Sequence, residues 1–122
     1  MIDVVMCAYN SESTIREAVD SVLNQTYEDF KLWVFDDNSQ DSTLDILRRY
    51  NDDRLVILAA SKNIGTYAAK NFAVYNVGDR KYVALHDADD ISHPERFEKQ
   101  INFMEKKNIV CLGTAVKEFW EN

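Results

Sequence analysis

Short apolar runs alternate with helical spacings along this chain, and polar breaks separate them. Val4-Val5-Met6-Cys7 is continuously apolar, which predicts a strand buried on both faces. Ile15, Ala18, Val19, Val22 and Leu23 then recur at spacings of three and four, one face of a helix, with Ser11 or Ser13 as N-cap and Asn24-Gln25-Thr26 closing it. Phe30 to Phe35 predicts a second strand, ending in Asp36-Asp37-Asn38-Ser39. Asp41 or Ser42 is then expected to cap a helix that turns Leu44, Leu47 and Tyr50 inward. Leu55 to Leu58 predicts a third strand, followed by Ser61-Lys62-Asn63-Ile64-Gly65 and a helix from about Thr66 to Val77 with Ala69, Phe72 and Ala73 on one face.

After a turn at Asp79-Arg80, Tyr82-Val83-Ala84-Leu85 predicts a strand inside the sheet. Ser92-His93-Pro94-Glu95 reads as a helix start, with Ser92 or His93 as cap and Pro94 in the first turn. Phe97, Ile101 and Met104 form the inner face of that helix, and Ile109 to Leu112 predicts a fifth strand. Such alternation with short links means an α/β fold: a Rossmann-like, mostly parallel sheet with helices on both faces. Residues 1–122 form one domain portion on this reading.

In a sheet of this kind ligands sit at the carboxyl ends of the strands. The polar residues that interrupt the pattern fall there: Tyr9-Asn10 after the first strand, Asp36-Asp37 after the second and Asp87-Ala88-Asp89 after the fourth. Residues two apart in extended backbone project to one side, so Asp87 and Asp89 can converge while Ala88 leaves room. Ionised carboxylates at a strand end are costly unless a cation meets them. Mg²⁺ or Mn²⁺, which takes oxygen ligands and shares them with substrate phosphates, suits the pair.

Composition narrows the choices. Hydrophobic residues at 46% and charged residues at 29% are ordinary for a folded domain. No apolar stretch approaches the length of a membrane span, and Met1-Ile2-Asp3-Val4-Val5 lacks a basic secretory leader; with only two cysteines, a reducing, cytoplasmic setting is expected, at the inner membrane face in a full-length protein. Cys7 and Cys111 are too few for a disulfide framework and are expected to be reduced and packed in the core. The net charge of −7 argues against nucleic acid as a partner. It also means that a phosphorylated ligand must be held by local donors and a bridging metal.

Several stretches together resemble the family-2 glycosyltransferases, nucleotide-sugar-dependent enzymes of the GT-A fold. They are Ala8-Tyr9-Asn10, Ala18 to Tyr27, Val34 to Thr43, Asn63-Ile64-Gly65, Ala69-Lys70-Asn71 and Leu85 to Asp90, covering Val4 to about Gln100 in order. The resemblance implies that Asp37 accepts from the N–H of the base, usually uracil, with Asp36 as a turn-former. Tyr9 would pack on base or ribose. Cys7 stands where the family often has Pro. Cys7, Ala8 and Ala88 would line the nucleotide pocket, with Glu12 at its edge. Gly65 would open the loop-to-helix turn, and Lys70 would reach toward the diphosphate or base. Asp89 would coordinate Mn²⁺ or Mg²⁺ through the donor diphosphate, with Asp87 on ribose or a metal-bound water. Asp90 and His93 are secondary candidates.

The implied reaction transfers a sugar from a nucleoside diphosphate sugar to a carbohydrate or lipid-linked acceptor hydroxyl with inversion. Family domains are longer than this chain, so the chain is expected to be the N-terminal, donor-binding half, with the general base beyond Asn122. Phe119-Trp120 would lead into further core, and self-association through an uncovered face is a further expectation. A non-catalytic nucleotide- or partner-binding module is the alternative. Aspartyl phosphatases and receiver domains place their acidic motifs after other strands. A calcium loop beginning at Asp87 fails at Ile91 and at Ser92.

Overall fold

The computed structural model describes residues 1–77 and 80–118. Part of the turn expected at Asp79-Arg80, and all of Phe119-Trp120, lie outside them. Four strands form one parallel sheet in the order β3-β2-β1-β4: β1 (Ile2–Ala8), β2 (Phe30–Asp36), β3 (Leu55–Ala59) and β4 (Tyr82–Asp87). Helices α1 (Ile15–Leu23), α2 (Thr43–Leu47) and α3 (Thr66–Asn76) make the crossovers, and α4 (Arg96–Lys107) follows β4.

The two-residue period of β1 explains the layers. Ile2, Val4, Met6 and Ala8 face one side, where they join Ile15, Val19 and Val22 of α1, Leu47 of α2 and Phe97 of α4 in the main core. Val5 faces the other side with Phe35 and the small residues Ala69 and Ala73 of α3. Helices thus cover both faces, as the alternation implied. Phe72 stays half exposed, yet its ring lies 5.4 Å from that of Phe35.

Three expectations are corrected. β4 pairs only with β1 among the described strands, so it is an edge, and Val83 and Leu85 are 41% and 52% exposed. Strand-forming side chains encode extended backbone but not the number of neighbours. Ile109 to Leu112 forms no strand, and Val110 is almost fully exposed. β3 and β4 both leave an open edge, yet this segment pairs with neither, and Cys111, expected in the core, is exposed with it. The caps also differ. α1 has Thr14 as N-cap with no side-chain bond, and the Ser11 carbonyl accepts the Thr14 and Ile15 amides instead, at 3.0 and 2.8 Å. α4 starts at Arg96 after Glu95, so Pro94 precedes the helix rather than opening it.

Candidate functional site at the carboxyl edge

The register sets Ala8 beside Asp36, Asp36 beside Ala59, and Cys7 beside Asp87, so the three polar strand ends meet at one edge. At the end of β2, Asp36 is buried and accepts the Ser39 hydroxyl at 2.6 Å and its amide at 3.1 Å, closing a turn through Asn38 at φ 61°. This is the turn-forming role expected of it. Asp37 is also buried, at 2% exposure. Its two carboxylate oxygens accept the Ile64 and Gly65 amides, each at 2.8 Å, at the entry to α3. Those backbone donors offset the cost of burying the charge.

At the end of β1, Ala8 is buried and Tyr9 stands at the rim, 48% exposed. Burial pushes the half-buried Cys7 thiol up to about 11, against a smaller opposing pull from Lys70, so Cys7 is not a thiolate nucleophile at neutral pH. Cys7 pairs with Asp87 across the sheet, Asp87 holds Lys70, and the Asp37 amide donates to the Ala8 carbonyl at 2.8 Å, so the four residues share one edge. Glu12 is engaged elsewhere. It accepts the Ser42 amide at 2.9 Å, and Asp41 accepts the Glu12 amide in return at 3.1 Å. The Glu12 carboxylate therefore ties the loop after β1 to the loop before α2.

At the end of β4, the Asp87 carboxylate lies 2.6 Å from the Lys70 ammonium. The hydrogen bond that Lys70 donates to Asp87 outweighs burial and raises the Lys70 pKa above its ordinary value. Ala88 is buried in the main core, while Asp89 and Asp90 are exposed at the turn that follows. His86 is buried on the core face; its Nδ1 donates to the Asp87 carbonyl at 2.8 Å, and its Nε2 has no partner. Burial lowers its pKa. Asp90 and His93 line an open cleft of about 1250 Å³ beside β4 and α4. Lys70 and Asp87 stand at its boundary, whereas Tyr9, Asp37 and Gly65 do not line it.

Among the described residues, no three His, Cys, Asp or Glu side chains gather to hold a metal ion. The donor set fits a hard cation only if substrate oxygens complete the shell, since Asp89 is exposed and Asp87 already faces Lys70. No helix among the described residues is long and apolar enough to cross a membrane. Two features escaped the sequence reading: the bonds from Asp37 to the α3 entry and the Lys70–Asp87 pair. The glycine in Asn63-Ile64-Gly65 was the only signal for the first, and the second had none.

Residues 3–122 match the model of glycosyl transferase family 2. A UDP-Glc:alpha-D-GlcNAc-diphosphoundecaprenol beta-1,3-glucosyltransferase of Escherichia coli is 36% identical over 109 residues, covering 89% of this chain and 43% of that protein. The crystal structure of S. aureus TarS 1-349 in complex with UDP-GlcNAc superposes with a TM-score of 0.81 at 28% identity, covering 88% of this chain and 32% of that one. A Pyrobaculum calidifontis mannosyltransferase in complex with GDP-Man and Mn²⁺ shares the fold at a TM-score of 0.77 and 23% identity, over 84% of this chain and 32% of that one. The architecture is that of the N-terminal region of GT-A enzymes. The chain spans less than half the length of the curated relatives it matches.

Proposed function

The chain belongs to glycosyl transferase family 2, and from that premise we propose that it supplies the donor site for transfer of a sugar from a nucleoside diphosphate, a UDP-sugar first, to an acceptor hydroxyl. The observation that carries the reading is the convergence of Asp37, Cys7, Lys70 and Asp87 at one sheet edge, with Tyr9 at its rim. The Tyr9 ring offers a face to the base. Asp37 retains acceptor capacity beyond its two amide bonds for a base N–H. Lys70 turns from Asp87 to the diphosphate once phosphate oxygens arrive. Asp89, with Asp87 beside it, would hold Mn²⁺ or Mg²⁺, whose chemistry there is to offset the charge that builds on the departing diphosphate.

A second reading is a donor-binding module without turnover. Asp36, Asp37 and Asp87 are all committed to donors of the chain itself, which leaves Asp89 and Asp90, of the described carboxylates at these strand ends, open for acid–base duty. Either reading predicts nucleotide binding. Calorimetric titration of UDP, with Mn²⁺ and with chelator, on the chain and on Asp89→Asn tests it. Metal-dependent binding that the substitution weakens by at least about tenfold is expected, since even outer-sphere partners of a metal carry that much. Binding indifferent to metal would overturn the cation assignment, and no binding by the folded chain would overturn the donor site.

A further inference from the structure

We infer that Asp37 is a positioning residue as well as a base acceptor: its carboxylate fixes the entry of α3 and thereby sets where Lys70 stands. The ligand side of this inference rests on the donor-site reading above; the mechanical side does not. The crossover from β3 to α3 hangs almost entirely from the end of β2. The Ala60 amide donates to the Asp36 carbonyl at 2.9 Å, and the Asn63 side-chain amide donates to the Asp37 carbonyl at 3.1 Å. The Ile64 and Gly65 amides then donate one to each oxygen of the buried Asp37 carboxylate.

Gly65 is the N-cap of α3, at φ 86° and ψ 153°, a region open essentially to glycine alone. That conformation turns its amide toward Asp37 while its carbonyl accepts the Ala69 amide at 2.9 Å, the first bond of the helix. Ala69 is fully buried against the sheet, and Lys70 is the next residue, with its ammonium on Asp87. A continuous linkage therefore runs from the end of β2 through α3 to the end of β4, passing over Cys7 of β1. The group that would read the base also aims the cation that would meet the phosphates. An amide side chain at position 37 cannot do this. Asn accepts one N–H through Oδ1 but points its own N–H donors at the other.

Amide hydrogen exchange and nucleotide binding together test the inference, on the chain, Asp37→Asn and Gly65→Ala. The alanine variant meets nothing within 4 Å of its added Cβ, so it acts through the backbone angle alone and leaves the carboxylate in place. In both variants the Ile64 and Gly65-position amides should exchange about tenfold faster, the loss of one charge-assisted bond, while β1 amides keep their rates. The ratio of UDP to uridine affinity should fall in both variants, because the phosphate increment depends on where Lys70 stands. Unchanged exchange in Asp37→Asn overturns the clamp. Faster exchange with an unchanged ratio overturns the link to Lys70 and leaves Asp37 as a base acceptor. If Asp37→Asn does not fold, Gly65→Ala decides by the same criteria. If the unaltered chain binds neither uridine nor UDP, the donor-site reading and the link to Lys70 both fall, and the exchange rates alone decide the clamp.

Discussion

Gln25 is predicted to be worth more to this fold than its place at a helix end suggests. The side chain is buried, and its Nε2 donates to the Ser21 carbonyl at 3.0 Å and to the His93 carbonyl at 2.8 Å. Its Oε1 accepts the buried Phe97 amide at 3.1 Å. Phe97 is in the first turn of α4, where amides have no partner inside the helix, and Glu95 contributes no side-chain cap. Gln25 is therefore a cap supplied from the loop that follows α1. Gln25→Met keeps the length and removes the amide group. It strips partners from the Phe97 amide and the His93 carbonyl, at about 1–3 kcal/mol each, for a loss of about 3 kcal/mol. A domain of this size has about 5–15 kcal/mol in all. Urea unfolding followed by circular dichroism should show a midpoint lower by about 1–3 M at unchanged slope. Gln25→Glu should cost at least as much at neutral pH, because it sets a carboxylate oxygen against the His93 carbonyl. A loss below about 0.5 kcal/mol in Gln25→Met, within the range of ordinary surface changes, would refute the reasoning.

Two further perturbations probe the buried polar groups. Burial holds the His86 pKa below its ordinary 6.5, so the unfolded chain takes up the proton first as pH falls. Stability should be full above about 6.5 and decline below it toward the folded-state pKa, and His86→Leu should flatten that decline; equal slopes in urea midpoints between pH 7 and 5 would refute it. Asp3 is fully buried, one oxygen accepting Trp33 Nε1 at 2.8 Å and the other unpartnered. Trp33→Phe should destabilise by about 1–3 kcal/mol, and adding Asp3→Val should recover part of that loss; a double variant no more stable than Trp33→Phe would count against the account.

Much of the fold was legible because its elements are local. The apolar run of β1, the three-four spacing of α1 and the Ala69–Ala73 stripe of α3 each lie within a few residues of one another, and each is buried where the pattern put it. What failed was non-local. Tyr82 to Asp87 extends as expected, but its place at the edge of the described sheet depends on which strands are its neighbours. The caps failed for the same reason. Ser92, expected to cap α4, instead sends its amide to the Ser21 hydroxyl at 3.0 Å and accepts the Arg96 guanidinium at 3.0 Å, while the Phe97 amide in the first turn of α4 goes to Gln25, just past α1.

The site divides along the same line. That Asp36, Asp37, Asp87 and Asp89 share one edge follows from strand ends in a parallel sheet, and sequence reached it. How a chain of net charge −7 tolerates four carboxylates there was not legible, because each answer comes from another segment. Asp36 is met by Ser39, Asp37 by the amides at the start of α3, and Asp87 by Lys70. Asp89 is exposed, and no hydrogen bond or ion pair among the described residues engages it. Three carboxylates thus find donors within the chain, and the fourth is turned to solvent. Under the proposed function this asymmetry has a use. A site with all four charges open would repel the diphosphate, whereas a site with all four paired would have nothing to offer a cation. One open carboxylate, beside a second held by a lysine that phosphate oxygens can draw away, lets metal and diphosphate arrive together.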